Sequence, residues 1–560
     1  MERKWWQEAV VYQIYCKSFC DSNGDGVGDL RGIISKLPEL KELGIDCIWL
    51  NPVYTSPQVD NGYDISDYQD IEPTYGTMAD FKELLETAHG MGIRVIMDLV
   101  LNHTSDQHKW FQESRKSKDN PYRDYYIWRK PKPDGKEPNN WGNYFYEGKG
   151  SAWKYDEQTG EYYLHEYSQH MPSTNWECEA LRQDMYKMMR WWLDMGVDGF
   201  RLDAVNRLKK PEGLPDSPRP PAPPVGIHGY VVDRFICANV PGIHERLNEI
   251  NENVWSQYDC TTVGEMGNTT SAEAGDYIAQ GNKEVDMIFH FEIAKNASLV
   301  TVPEYKQIQQ NWVDLMQNNA WLTQYLSNHD TPRHVSRFGN DREYRAESAK
   351  LLATLTHTMP GTPFVYQGEE IGMTNVEFDS IEDYNEKYLV GKYWTMVEAG
   401  VDPKEALAQL RPASRDNART PYQWDDSENA GFTSGKPWMK VNPRYTEINY
   451  AADRASSDSI FAYYQKLIAM RKTCPAIVDG FLEILMKDHP QMVVYLRKCI
   501  RQTLLVVANF SNENVKVERP QELNGHTWKR ILTNRDETVP SLEGREEWLP
   551  WEVEVYEMAK

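Results

Sequence analysis

The chain has no apolar run approaching the ~20 residues that a membrane-spanning helix needs. After Met1-Glu2-Arg3-Lys4-Trp5-Trp6 no apolar stretch of signal-peptide length follows. Basic charge is in deficit: 61 Lys and Arg face 84 Asp and Glu, a net charge of −23. Such a chain repels nucleic acid and anionic membranes, so neither is expected as a partner. No GxGxxG or Walker-type phosphate loop occurs, and no organic cofactor is expected. Cysteines at 16, 20, 47, 178, 237, 260, 474 and 499 are scattered, without CxxC pairing. They read as reduced thiols, packed as small hydrophobes in a cytoplasmic protein.

What is present is a long alternation. The 560 residues exceed the ~250–300 at which a single core stops growing, so attachments to one large domain are expected. Strand candidates cover 10–15, 46–51, 94–102, 199–205, 261–265, 287–291, 323–329 and 363–367. Amphipathic helical stretches at 30–43, 78–89, 181–195, 243–258 and 343–358 lie between them. Eight strands alternating with helices point to a parallel (β/α)8 TIM barrel of the α/β class. Asn51, Asn102, His103, Asp203, Glu265, His329, Asp330, Glu369 and Glu370 fall at strand C-terminal ends, the rim where barrels place their sites.

Two excursions interrupt the rhythm. Residues 104–175 are rich in Trp, Tyr, Lys, Pro and Gly, with a strand candidate at 161–165, and form an inserted subdomain after strand three. Residues 208–228 hold seven prolines, which stiffens the backbone and excludes helix. This stretch leaves the strand bearing Asp203 and is expected to overhang the site. From 481 short alternating strands follow (481–485, 491–497, 503–510, 515–518, 551–556). The division is a barrel over 1–103 and 176–480, the insert 104–175, and a C-terminal antiparallel β-sandwich domain 481–560.

Asp203, Glu265 and Asp330 each end an apolar strand-like run. Asp is depleted in strands and a buried unpaired charge is costly, so a use is implied. Three carboxylates at one mouth suit glycosidic bond cleavage. The chain resembles the α-amylase family of glycoside hydrolases through four ordered segments. These are Asp98-Leu99-Val100-Leu101-Asn102-His103, Gly199-Phe200-Arg201-Leu202-Asp203, Gly264-Glu265-Met266 and Asn328-His329-Asp330. Val11-Tyr12-Gln13-Ile14-Tyr15, Asp60-Asn61-Gly62-Tyr63-Asp64 and Arg415-Asp416-Asn417-Ala418-Arg419-Thr420-Pro421 are similar to the oligo-1,6-glucosidase and α-glucosidase branch.

The resemblance implies a retaining reaction with Asp203 as nucleophile, Glu265 as acid/base and Asp330 holding ring hydroxyls. Arg201, two residues before Asp203, shares its side of the strand and would keep it ionised. His103 and His329 match family histidines that bind sugar hydroxyls. Asp60, Tyr63 and one of Arg415 or Arg419 match residues that recognise terminal glucose, an Asp–Arg pair closing a blind pocket for exo action. Asp98, inside its run, reads as scaffold.

Departures from the branch bear on linkage. Ala204 stands where α-1,6 enzymes of the resembled branch usually carry Val. Met171-Pro172-Ser173-Thr174-Asn175 is closer to an MPKLN than a QPDLN segment, Thr331 replaces Gln, and Tyr388 stands where a Glu is expected. The expected enzyme is an α-glucosidase on short α-1,4-linked or mixed oligosaccharides, with sucrose a further candidate, and a monomer or weak homo-oligomer. Alternatives are a sucrose isomerase or transglucosylase, a trehalose-6-phosphate hydrolase using Lys209 and Lys210, and a non-catalytic transporter subunit.

Asp21, Asn23, Asp25, Val27 and Asp29, interleaved with glycines, supply alternating oxygens suited to a structural Ca2+ or Mg2+. The run resembles an EF-hand loop without the twelfth-position Glu. The alternative is a solvated Asx turn.

Overall fold

The computed structural model describes residues 3–220, 229–279, 284–293, 301–316, 320–535 and 542–559. Residues 221–228 of the proline-rich stretch lie outside the described residues.

Eight strands form one parallel sheet: β1 Val11–Ile14, β2 Cys47–Leu50, β3 Arg94–Val100, β4 Gly199–Asp203, β5 Thr261–Glu265, β6 Met287–Phe289, β7 Thr323–Gln324 and β8 Thr362–Tyr366. Their spatial order is β6-β5-β4-β3-β2-β1-β8-β7, so only β6 and β7 lack a backbone ladder. A side chain closes that seam: the Thr323 hydroxyl donates to the Ile288 carbonyl over 2.8 Å. The seventh strand stops at Gln324 rather than reaching 329. Beyond it the Tyr325 hydroxyl binds the His290 carbonyl, and Ser327 binds Glu369, so side chains replace the ladder.

Alternation sorts the strand residues into two cores. Val11, Cys47, Trp49, Ile96, Val263, Met287, Phe289 and Phe364 cluster together inside the barrel. Their neighbours Tyr12, Ile48, Leu50, Val95, Leu99, Phe200, Leu202 and Val365 join the large core shared with the surrounding helices. The helix Leu30–Leu43 matches the expected bounds, opened by the Asp29 side chain accepting from the Gly32 amide and closed at Gly44 (φ +100°). The helix expected over 243–258 ends at Asn253 and continues as a 3-10 turn. The helix Ile460–Thr473 buries Ile460, Phe461, Tyr463, Tyr464, Leu467, Ile468 and Arg471 on one face and exposes Lys466, Ala469, Lys472 and Thr473 on the other.

The insert holds a helix, Lys109–Ser114, and a three-stranded antiparallel sheet of Trp128–Arg129, Glu161–Leu164 and Trp153–Asp156. The excursion after β4 returns to it: Gly142 N–H donates to the Val231 carbonyl and Val231 N–H to the Asn140 carbonyl, both 2.8 Å. At the C-terminus, β9 Phe481–Leu485, β10 Met492–Lys498, β11 Thr503–Asn509, β12 Trp528–Thr533 and β13 Val553–Met558 make a five-stranded antiparallel sheet. One face (Leu482, Ile484, Val493, Tyr495, Val506, Val555) joins the core of the barrel helices. The other packs beneath the short ribbon of Val515–Lys516 and Glu547–Trp548.

Candidate active site

The inward row that is apolar at the base of the barrel turns polar above it. β3 and β4 pair Asp98 with Arg201 in register, and β4 pairs Arg201 with Val263 of β5. Arg201 is 1% exposed and sits 5.3 Å above the Trp49 ring. Its Nη1 donates to Asp98 at 2.7 Å and Asp203 at 2.9 Å, and its Nη2 lies 2.8 Å from Glu265. One guanidinium therefore holds three carboxyl groups. Asp98 also accepts from Tyr63 (2.9 Å) and Trp49 (3.3 Å), leaving Asp203 and Glu265 as the pair facing outward.

Their environments set their charge. Burial drives Glu265 up to about 7 against the pull of Arg201, helped by the negative charges of Asp203 and Asp330. Burial and Asp98 also raise Asp203; Arg201 and a hydrogen bond with Glu265 oppose this. A protonated Glu265 donating to an ionised Asp203 satisfies both. Asp330 differs. Burial opposes its charge, but His329, Arg415, Arg419 and Arg201 outweigh it and hold the carboxyl far below the carboxylate range. His329 is itself lowered to about 3 by burial, so at neutral pH the guanidinium groups supply the positive charge.

Gln13, inward by parity with Val11, donates its amide to His329 Nδ1 (2.8 Å), which leaves His329 Nε2 to face the Tyr63 hydroxyl at 2.7 Å. Tyr63 stacks on His329 with rings 5.4 Å apart and an interplanar angle of 6°. Arg419 Nη2 donates to Asp330 at 2.6 Å and its Nε to the His329 carbonyl at 3.0 Å. Arg415 is the arginine near Asp60, at 3.9 Å, while its Nη1 reaches Asp330 at 3.2 Å. Burial raises Asp60 to about 6, against both arginines. His103 is turned aside: its Nε2 lies 3.2 Å from the Tyr63 carbonyl, and burial lowers it to about 4.

Glu265, Asp330, Ala204 and Arg415 line a cleft of about 730 Å³ walled by Tyr144, Tyr146, Tyr167, Phe235 and Tyr388. Of the stretch 208–228 expected to overhang the site, Arg219 lines the cleft and residues 221–228 lie outside the described residues; beyond that stretch, Val232 to Phe235 also line the cleft. The glutamate expected near 388 is present two residues earlier: Glu386 accepts from Arg415 Nε at 3.0 Å and from the Arg415 amide at 2.7 Å. A lone Glu in an irregular segment gave no signal of this. Lys210 is buried on Glu166 and Asn102, and Lys209 lies 2.9 Å from Glu177, so neither faces the cleft.

In the glycine-rich loop Asp21, Asn23 and Asp25 each accept the amide two residues on, over 2.9 Å. Asp21 also takes the Gly26 amide, and Asp29 takes Ser22 and Gly32. The donor set is all oxygen, the chemistry of a hard cation. Among the described residues no three carboxylate, His or Cys side chains already converge as a metal cluster. All eight cysteines are free thiols. No described helix is long and apolar enough to cross a membrane.

Residues 13–480 match the model of the alpha amylase catalytic domain. The chain belongs to the α-amylase family of glycoside hydrolases. Residues 482–545 of this glycoside hydrolase match the maltogenic amylase C-terminal domain. An oligo-1,6-glucosidase of Parageobacillus thermoglucosidasius is 49% identical, over 100% of both chains. A mutant trehalose-6-phosphate hydrolase of Bacillus licheniformis shares the fold with TM-score 0.93 and 44% identity, over 100% of both chains. A trehalulose synthase of Pseudomonas mesoacidophila MX-45 gives 0.92 and 41%, also over 100% of both.

Proposed function

We propose that this α-amylase-family enzyme is a retaining, exo-acting α-glucosidase that removes terminal α-linked glucose from short oligosaccharides. One observation carries the reading: a single buried guanidinium holds both Asp203 and Glu265, with Glu265 raised to about 7. Retaining enzymes need two carboxyl groups about 5–5.5 Å apart, one ionised and one protonated. Asp203 attacks the anomeric carbon as the glycosidic C–O bond breaks, and Glu265 gives its proton to the departing oxygen. Glu265, now a carboxylate, takes a proton from water, whose oxygen displaces Asp203 and releases glucose with the α-configuration. Asp330, kept charged by its arginines, holds ring hydroxyls through the oxocarbenium-like transition state. Asp60 and Arg415 close the far side of the glucose pocket.

Ala204 leaves room beside the nucleophile, which favours α-1,4-linked or mixed substrates. A panel of maltose, isomaltose, sucrose, trehalose 6-phosphate and maltotriose, with product anomers followed by NMR, tests the reading. Fresh α-glucose is expected from the unaltered enzyme and none from D203A; β-glucose first, or an undiminished rate in D203A, overturns it. We also assign a structural Ca2+ or Mg2+ to the loop of Asp21, Asn23, Asp25, Val27 and Asp29, and the free thiols of the chain favour a cytoplasmic setting.

A further inference from the structure

The cleft mouth holds a cation that this chemistry leaves unused. Arg234 lies in the excursion that returns from β4. Its carbonyl accepts from Asn268 Nδ2 at 2.8 Å and from Arg207, so its backbone is pinned. Its side chain is exposed, lines the cleft, and has no ion pair among the described residues. Of the neighbouring cations, Arg219 pairs with Asp233 at 3.2 Å and Arg415 with Glu386 at 3.0 Å, while Lys392 stands 5.7 Å from the Tyr388 ring. The Arg234 guanidinium instead stands 5.7 Å from the Tyr144 ring and 5.8 Å from the Tyr388 ring. Tyr388 in turn lies 5.5 Å from Tyr146. Segments from the barrel excursion, the insert and the helix Lys387–Glu398 thus meet in one aromatic and cationic rim. Tyr388 follows Glu386 by two residues and lines the same cleft as the Glu386–Arg415 pair.

We propose that Arg234 and the faces of Tyr388 and Tyr146 bind the second sugar of the leaving group. The inference rests on the glucosidase reading above. Aromatic faces take the apolar side of a sugar ring, and a guanidinium with five free donors takes its hydroxyls. The rim sets the faces of Tyr388 and Tyr146 beside two cations, Arg234 and Lys392, the latter 5.7 Å from the Tyr388 ring, and aromatic faces take the apolar side of a neutral sugar ring; a phosphate in their place would show as a loss confined to trehalose 6-phosphate.

Steady-state kinetics of R234A, Y388A and Y388F test this against maltotriose, maltose, trehalose 6-phosphate and p-nitrophenyl α-glucoside. R234A and Y388A are expected to raise KM for maltotriose about tenfold, leaving the aryl glucoside unchanged and maltose nearly so. Y388F, which keeps the ring face, should retain the trisaccharide KM. Equal losses on all substrates, no loss on any, or a loss confined to trehalose 6-phosphate overturns the assignment. If the unaltered enzyme cleaves none of them, the glucosidase reading falls first and this one with it.

Discussion

At Arg201 a single residue sets the charge of three others, and what it does to each differs by burial. Asp98 is fully enclosed and takes its bonds from Tyr63, Trp49 and Arg201, so it fixes the guanidinium rather than substrate. Glu265 is left as the group with the proton, at about 7. The reaction needs that proton, so kcat/KM is expected to fall as pH rises through about 7, and to fall on the acid side as Asp203 protonates. A kcat/KM profile from pH 4 to 9 checks this; E265Q should lose the alkaline limb and about 10²–10⁴-fold in kcat on unactivated sugars. An alkaline limb unchanged in E265Q would assign the proton to another group. Much of this residue pattern was legible: Asp203 and Glu265 at strand ends and the two-residue spacing of Arg201 and Asp203 stand in the sequence, whereas Asp330, expected at a strand end, sits in the turn beyond Gln324. The choice between Arg415 and Arg419 was not, because both lie in one short segment and only folding turns one to Asp60 and the other to the His329 carbonyl.

At the scale of elements, the C-terminal sheet shares its core with the barrel helices and is joined to them by a buried arginine. Arg497 of β10 is fully buried and donates Nη2 to the Ile477 and Gly480 carbonyls, both 2.8 Å, and Nη1 to Thr358 at the end of a barrel helix. Burial lowers it to about 10, yet it stays charged. Truncation leaves several buried carbonyls without donors. R497M is therefore expected to cost about 3 kcal/mol in urea unfolding while leaving kcat unaltered. A loss under about 0.5 kcal/mol would show that water replaces the guanidinium. The alternating strands from 481 announced this sheet, but the strands Trp528–Thr533 and Glu547–Trp548 were missed, being short or charged at exposed positions. The seventh barrel strand was overread for the converse reason: apolar residues 325–326 look like strand but serve the seam.

Over the whole molecule, the glycine-rich loop joins distant parts of the chain. Asp21 N–H binds the Phe432 carbonyl at 3.0 Å, the Thr433 hydroxyl donates to Asp21, and Trp438 N–H binds the Gly26 carbonyl at 2.9 Å. A cation bound to this loop would tie the first barrel crossover to the segment beyond Arg419. Chelation by EDTA is expected to lower Tm by several degrees, restored by Ca2+ or Mg2+, and D25A to abolish the response. A Tm indifferent to chelator in the unaltered protein would leave the loop as a set of Asx turns. The sequence alone determined the alternation of strands and helices, the strand-end carboxyl groups of Asp203 and Glu265 and the C-terminal change to antiparallel strands, because periodicity and polarity are local properties; Asp330 lies six residues past its strand, which ends at Gln324. The tertiary structure decided which arginine approaches Asp60, that Glu386 joins it, and that Arg234 lines the cleft mouth with no ion pair among the described residues. Those depend on where loops far apart in the chain meet, and no local pattern records a meeting.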